Sequence, residues 1–145
     1  MTLRQAKCDD LAAFVRLALL LWPENDPEEL AAELALLLDS PDAAVFLCEA
    51  DGEAVAFAQC QLRRDYVEGC ETSPVGYLEG VFVGEAHRRQ GIAQALVGAC
   101  QDWARNRGCR EFASDCELSN TDSLRFHLSI GFEEANRIIC FHQSL

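Results

Sequence analysis

The chain is 145 residues long, which is enough for one domain with a hydrophobic core and too short for two. Its 24 acidic and 12 basic side chains give a formal net charge of −12. Such a charge disfavours binding to nucleic acid or to anionic membrane surfaces, and it attracts polycationic ligands. Acidity can also serve solubility alone, so the charge leaves both interpretations open.

The first predicted elements are a short strand and two helices. Residues 3–6 predict the strand, and Asp9 or Asp10 then caps a helix that runs to about Leu21. The second helix begins at residues 26–29, where an aspartate cap is followed by proline and two glutamates. Residues 11–22 also resemble the apolar part of a signal peptide. No small-residue cleavage site follows, and the stretch is too short to span a bilayer, so we interpret it as a core helix.

A hairpin and a long loop follow. Residues 44–50 and 54–62 flank Asp51-Gly52, a dipeptide typical of tight β-turns. Residues 63–76 form a polar loop whose length is typical of functional or disordered segments.

The second half of the chain alternates strands and helices. We predict a strand at 77–83, a helix at 90–107 closed by Gly108, a strand at 110–115, a helix at 120–130 and a last strand at 137–143. This alternation indicates an α/β sandwich with a mixed sheet.

Eight cysteines match no zinc-binding spacing and include no Cys-x-x-Cys pair. Cys48, Cys60 and Cys100 fall within apolar patterns, where cysteine behaves as a small hydrophobe. We therefore expect reduced thiols in a cytoplasmic protein.

A candidate phosphate-binding turn joins the strand at 77–83 to the helix at 90–107. Gly84 breaks the strand, two arginines follow, and Gly91 and Ala93 open the helix. The backbone N–H groups of a helix N-terminus are unpaired, and small residues let phosphate approach them. A solvated basic turn is the alternative.

The spacing Arg88-x-x-Gly91-x-Ala93 resembles the pyrophosphate loop of the GNAT acetyltransferases. The resemblance implies one acetyltransferase domain over residues 1–145 and direct transfer from acetyl-CoA without a covalent enzyme intermediate or a metal. It implies a mixed, mostly antiparallel sheet in which a central strand pair splays apart to form the acetyl-CoA cleft. The implied cofactor-binding residues are Val81, Phe82, Val83, Arg88, Arg89, Gln90, Gly91, Ile92, Ala93, Gln94 and Asn120. A backbone N–H at residues 80–83 would stabilise the oxyanion.

A second signature lies in the helix at 120–130. Asn120, Ser123 and His127 recur at intervals that place them on one helix face. This pattern resembles a second GNAT signature, in which an asparagine meets the pantetheine arm of the cofactor and a tyrosine seven residues later faces the thiol. His127 stands at the tyrosine position and is predicted to protonate the departing thiolate. A surface or core-edge histidine is the alternative.

Four further stretches resemble the aminoglycoside 6′-N-acetyltransferases: residues 20–23, 65–75, 78–80 and 108–115. This resemblance implies that Trp22 and Tyr66 contact the sugar rings of an aminoglycoside. Asn136 stands where family members carry a drug-binding carboxylate, so it would bind without contributing charge unless Glu133 or Glu134 substitutes. Family members form homodimers through their C-terminal strands, which implies a similar role for residues 137–143.

Two carboxylates are the predicted catalytic pair. Amine acetylation needs a neutral nitrogen, so a base must accept a proton from the bound ammonium group. Glu79 lies in the middle of an apolar strand, and Asp115 ends the next strand. We predict that Glu79 binds the reactive amine and relays its proton through water, and that Asp115 holds a neighbouring group. A salt bridge for Glu79 and a turn cap for Asp115 are the alternatives.

Two other functions remain compatible with the sequence. A GNAT enzyme that acetylates another cationic amine, such as a polyamine or a protein lysine, would need the same carboxylates. A non-catalytic acyl-CoA-binding module is favoured slightly by His127 in place of tyrosine and opposed by the pairing of Glu79 with Asp115.

Overall fold

A computed structural model describes all 145 residues as an open five-stranded sheet with helices on both faces. The strands stand in chain order, and only the last pair is parallel, so the predicted mixed sheet is confirmed. The elements are β1 (Thr2–Gln5), α1 (Leu11–Leu21), α2 (Pro27–Asp39), β2 (Ala43–Ala50), β3 (Glu53–Arg63), β4 (Val75–Val83), α3 (Ile92–Asn106), β5 (Phe112–Ser114) and α4 (Thr121–Ser129).

Local sequence accounts for several element boundaries. The Asp26 side chain accepts a hydrogen bond from the Glu29 N–H at 3.0 Å, which caps α2 as predicted. Asp51 and Gly52 both have positive φ angles, +52° and +79°, the backbone that a two-residue hairpin turn requires. Trp22 ends α1 just before Pro23. The predicted hairpin and the starts of both early helices are therefore confirmed within a residue or two.

The core lies in two layers, one on each face of the sheet. On one face α3 packs Leu96, Val97 and Cys100 against buried residues of β3 and β4. On the other face α1 and α2 pack around Phe14 and Phe57, whose rings meet edge to face at 5.2 Å. All eight cysteines are free thiols. None of the helices is both long and apolar enough to cross a membrane.

An irregular step in β4 places Glu79 beside the face covered by α1 and α2. Cys60 pairs with Leu78 and the adjacent Gln59 pairs with Gly80, so Glu79 is an extra residue in β4. Gly80 faces Trp22 of the α1 side, and Glu79 lines a cavity on that side together with Gln59. The bulge therefore puts two successive β4 residues on one face, where regular alternation would separate them.

The predicted last strand at 137–143 is wrong. No regular element follows α4, and Ile138, Ile139 and Phe141 are exposed. A strand needs a hydrogen-bonding neighbour, and the edge strands of the sheet are β1, of four residues, and β5, of three. The segment finds no such neighbour within its own chain. As a result the splayed strand pair lies at the edge of the sheet.

Candidate active site

A cleft opens where β4 and β5 part. The two strands pair only from Gly76 to Leu78 on β4 and from Phe112 to Ser114 on β5. Beyond these residues they line a cleft of about 900 Å³, together with the start of α3 and one side of α4. Glu79 and Asp115 are the first residues past the paired region, and both line the cleft. The expectation that the two carboxylates share one cleft therefore matches the geometry.

The turn before α3 presents a row of unpaired backbone donors. No backbone carbonyl or side chain accepts a hydrogen bond from the N–H groups of residues 89–94. Gly91 has φ +78°, and a Cβ there would meet nothing within 4 Å. This open nest at a helix N-terminus has the form that binds phosphate oxygens.

The arginines of this turn differ in their surroundings. The Arg88 Nε donates to the Val83 carbonyl oxygen at 2.9 Å, and its guanidinium lies 5.9 Å from the centre of the Phe82 ring. Arg88 therefore fastens the turn to the end of β4. Arg89 is exposed, with φ +63°.

The cleft-facing edge of β4 consists of backbone. Residues 81–83 pair with β3 on one side and have no strand on the other, because β5 has already ended. In an antiparallel pair alternate residues bond to the neighbour, so the remaining N–H and C=O groups face the cleft. The Val81, Phe82 and Val83 side chains pack against the two cores.

His127 lies on α4 with both ring nitrogens engaged. Its Nδ1 is 2.7 Å from the Ser123 carbonyl oxygen, and its Nε2 is 2.8 Å from the Ser114 hydroxyl. The imidazole meets the Phe126 and Phe132 rings edge to face, at 5.8 and 5.1 Å. His127 also lines the cleft, and its role as the acid that protonates the thiolate stays a prediction.

Asn120 precedes α4 as its cap. Its side-chain oxygen accepts a hydrogen bond from the Ser123 N–H at 3.1 Å, which leaves the side-chain NH₂ group available. Asn120 lines the cleft, as expected for a residue that meets an extended ligand there.

Glu79 is held by an arginine. Nη2 of Arg63 donates to the two carboxylate oxygens of Glu79 at 2.8 and 3.1 Å. The Glu79 side chain is 20% exposed. The salt bridge considered as an alternative is therefore present, and it coexists with a position in the cleft.

Asp115 is held by a tyrosine. The Tyr77 hydroxyl donates a hydrogen bond to the Asp115 carboxylate, and the Arg63 guanidinium stacks 3.4 Å from the centre of the Tyr77 ring. Burial, followed by the bond to Asp115, raises the pKa of Tyr77, so its hydroxyl remains a donor at neutral pH. Arg63 and Tyr77 thus link the two predicted carboxylates into one network, and Asp115 does not act as a turn cap.

The predicted sugar-binding residues fall into two groups. The Trp22 ring packs on the backbone of β4 at Gly80, where an added Cβ would come within 2.6 Å of the ring. Trp22 also lines the cleft, as Glu79 does. Tyr66 and Asn136 lie elsewhere, joined through Glu68, whose carboxylate oxygens are 3.3 Å from the tyrosine hydroxyl and 2.7 Å from the asparagine nitrogen. These two residues do not line the cleft.

Comparison with known proteins agrees with this geometry. The sequence profile of the Acetyltransferase (GNAT) family matches residues 11–132, most of the chain. This chain belongs to the GNAT acetyltransferase family. It is 46% identical to an aminoglycoside N(6′)-acetyltransferase type 1 of Stenotrophomonas maltophilia, over 99% of the chain and 94% of the relative. It is 44% identical to the enzyme of that name from Serratia marcescens, over 94% of each protein.

Solved structures of related GNAT proteins share the whole fold. The structure of AAC(6′)-Iy in complex with the bisubstrate analog CoA-S-monomethyl-acetylneamine superposes with a TM-score of 0.95 at 39% identity, covering 99% of this chain and 98% of that chain. AAC(6′)-Iy in complex with CoA gives a TM-score of 0.96, also at 39% identity, over 99% of this chain and 95% of that chain.

The sequence pattern assigns no role to three residues at this site: Ser114, which lines the cleft, and Arg63 and Tyr77, which bond to the cleft residues Glu79 and Asp115. Strand alternation could have identified Ser114, because it lies two residues after Phe112 and so shares the face that packs towards α3 and α4. Nothing in the sequence alone indicates the contacts of Arg63 and Tyr77, since their partners lie 16 and 38 residues away.

Proposed function

We propose that this GNAT enzyme transfers the acetyl group of acetyl-CoA to the 6′-amine of an aminoglycoside. One observation carries the proposal: two carboxylates, Glu79 and Asp115, stand on opposite strands at the point where the cleft opens. The named relatives, similar over nearly their whole length, support the substrate class.

The donor side of the proposed site is built from backbone. The free N–H groups of residues 89–94 would hold the phosphates of acetyl-CoA, with Arg89 adding positive charge beside them. The exposed edge of residues 81–83 would pair with the amides of the pantetheine arm, and Asn120 would bond to the same arm. The co-substrate supplies an acetyl thioester, and an outward N–H at residues 80–83 would stabilise the oxyanion.

The acceptor side is built from acidic side chains. Glu79 would bind the reactive ammonium group and accept its proton through water, while Asp115 would hold a neighbouring ammonium or hydroxyl group. Arg63 forms a salt bridge with the Glu79 carboxylate, so a cationic substrate would bind this carboxylate beside Arg63 or displace Arg63 from it. The net charge of −12 favours the approach of such a polycation.

Aromatic and polar residues would hold the rest of the drug. Trp22 beside Glu79 offers a flat face for the reacting sugar, and the exposed Tyr66 would contact a more distant ring. Asn136 would hydrogen-bond to the drug but would contribute no negative charge. Glu134 is paired with Arg137, whereas Glu68 is hydrogen-bonded to Asn136 and could, like Glu133, replace the missing charge.

The enzyme would act as a homodimer in the cytoplasm. The exposed apolar residues Ile138, Ile139 and Phe141 find no cover within the chain, and a second copy would bury them through the C-terminal segments. Eight free thiols support a reducing compartment.

The experiment that tests this function measures release of the CoA thiol with two matched aminoglycosides, one with a 6′-amine and one with a 6′-hydroxyl. We expect turnover with the amine only, and mass spectrometry of the product should locate one acetyl group on the 6′ nitrogen. Release with a polyamine or lysine peptide, but with no aminoglycoside, would favour the other GNAT substrate class. CoA binding without release for any amine would favour a non-catalytic module.

A further inference from the structure

We propose that Ser114 hands a proton to the departing CoA thiolate and that His127 supplies this proton to Ser114. The inference rests on the proposed acetyl transfer and deepens it by naming the source of the leaving-group proton. It starts from the pair formed by the Ser114 Oγ and the His127 Nε2, which are 2.8 Å apart.

The hydrogen bonds of His127 determine where its protons lie. A carbonyl oxygen can only accept, so the contact of 2.7 Å between the Ser123 carbonyl and Nδ1 requires a proton on Nδ1. The Ser123 hydroxyl oxygen, 3.3 Å from Nδ1, can accept from the same N–H. In the neutral imidazole Nε2 then has only a lone pair, which accepts the Ser114 hydroxyl proton. In the imidazolium form Nε2–H donates to the Ser114 Oγ, and the hydroxyl proton can turn to the Leu78 carbonyl oxygen, 3.4 Å away, or to a ligand in the cleft.

His127 is also fixed in place by its neighbours. Phe126 and Phe132 flank the imidazole edge to face, and both ring nitrogens are bonded to protein. The ring would have to break one of these bonds to reach a thiolate directly. A proton leaving Nε2 therefore passes first to Ser114.

Ser114 lies where the leaving group would emerge. It is the last paired residue of β5, opposite Leu78, and its Oγ is 3.4 Å from the Leu78 carbonyl oxygen in the gap between the strands. It lines the cleft together with Glu79, which is proposed to bind the amine, and with Gly80 and Val81, which belong to the stretch proposed to stabilise the oxyanion. Ser114 is only partly buried.

The proton transfer balances. When the C–S bond of the tetrahedral intermediate breaks, its electron pair goes to sulfur, and the thiolate takes the Ser114 hydroxyl proton. The Ser114 oxygen takes the Nε2 proton of the imidazolium at the same time. Ser114 ends neutral as a hydroxyl, and His127 ends neutral with its proton on Nδ1. Solvent water then returns a proton to Nε2.

The first test compares wild type with Ser114→Ala and with the hydroxyl-bearing control Ser114→Thr. With an accepted amine, we expect Ser114→Ala to lower kcat by about 100-fold, within the range typical of general acids. The KM for acetyl-CoA and the Kd for CoA should stay unchanged, and Ser114→Thr should recover most of the rate. A wild-type kcat in Ser114→Ala, or a change in KM alone, would overturn the relay.

The solvent deuterium isotope effect on kcat provides a readout that a structural role would not move. If two protons move in the same step, a plot of wild-type kcat against the deuterium fraction of the solvent should be curved. The isotope effect on kcat should be smaller for Ser114→Ala. Mass spectrometry of the intact enzyme after exposure to acetyl-CoA should find no acetyl adduct on Ser114. An adduct that forms and turns over would make Ser114 a nucleophile and overturn the proposal.

A last measurement does not depend on the acceptor. In ¹⁵N-histidine-labelled enzyme bound to CoA, assigned with His127→Gln, NMR at a pH high enough to make His127 neutral should find the remaining ring proton on Nδ1. An Nε2–H tautomer would overturn the relay whatever the substrate. If wild type acetylates no aminoglycoside but does acetylate another amine, the proposed substrate is wrong, and the Ser114 comparison is made with that amine.

Discussion

The two sides of the cleft are made in different ways. The side proposed for acetyl-CoA consists mainly of backbone groups: the free N–H row at residues 89–94 and the open edge of β4. The side proposed for the acceptor consists of side chains that hold one another, with Arg63 on Glu79 and Tyr77 on Asp115. Every residue type except proline supplies a backbone N–H, whereas the acceptor network depends on the identity of each side chain.

This difference predicts different responses to substitution. On the donor side, apart from the side chains of Arg89 and Asn120, only changes that alter backbone conformation should matter, and they should change acetyl-CoA binding. On the acceptor side, removing one functional group should change turnover or acceptor binding and leave acetyl-CoA affinity intact.

Glu79→Gln should have the largest effect. Loss of the proposed base should lower kcat by about 10²–10⁴-fold while the Kd for acetyl-CoA stays within about twofold. Steady-state kinetics and calorimetry measure the two quantities. Glu53→Gln is the matched control, since it removes an exposed carboxylate at the distant hairpin. A pH–rate profile for Glu79→Gln identical to that of wild type would show that Glu79 is not the base.

Gly91→Ala tests the donor side. The left-handed backbone at φ +78° costs a residue with a Cβ about 1–2 kcal/mol, so the turn should relax and raise the KM for acetyl-CoA about tenfold. Gly98→Ala is the control within α3, because a Cβ there also meets nothing within 4 Å and its backbone is helical. It should leave KM unchanged and stabilise the fold by about 0.5–1 kcal/mol. Equal effects of the two changes would contradict the proposed nest.

Gly80→Ala tests the acceptor side through packing. The added Cβ would stand 2.6 Å from the Trp22 ring, so the indole must move away from its place beside Glu79. We expect the KM for the aminoglycoside to rise several-fold, with a smaller change in the KM for acetyl-CoA. Indole fluorescence should report the displacement. An unchanged acceptor KM despite a displaced indole would remove Trp22 from the binding site.

The smallest effect should come from a carboxylate remote from both sides. The Arg4 side chain bonds to Asp10 and lowers the pKa of Asp10 to about 2, from an ordinary value of 3.8. A depressed pKa stabilises the fold above the ordinary value, and this contribution is lost as pH falls towards 2. Asp10→Asn should therefore cost about 1 kcal/mol near neutral pH, with a gap to wild type that narrows between about pH 5 and pH 3. Thermal unfolding across this range measures the gap, and a constant gap would contradict the assignment.

Much of the fold and the donor side were predictable from sequence because their causes are local. The Asp26 cap acts over three residues, the Asp51-Gly52 turn over two, and the nest follows from a glycine placed between a strand and a helix. Glu79 and Asp115 were also recognisable, because a carboxylate in or just after an apolar strand is unusual.

Tertiary structure decided the rest. The salt bridge of Glu79 joins residues 16 apart, the bond of Asp115 spans 38, and the pairing of Ser114 with His127 spans 13 and requires β5 and α4 to pack together. Residues 137–143 show the opposite case, since their pattern favours a strand but they pair with none of the five strands of the sheet. Local preferences select backbone conformation over a few residues. The partner of a side chain or of a strand depends on which distant segments the folded core brings together.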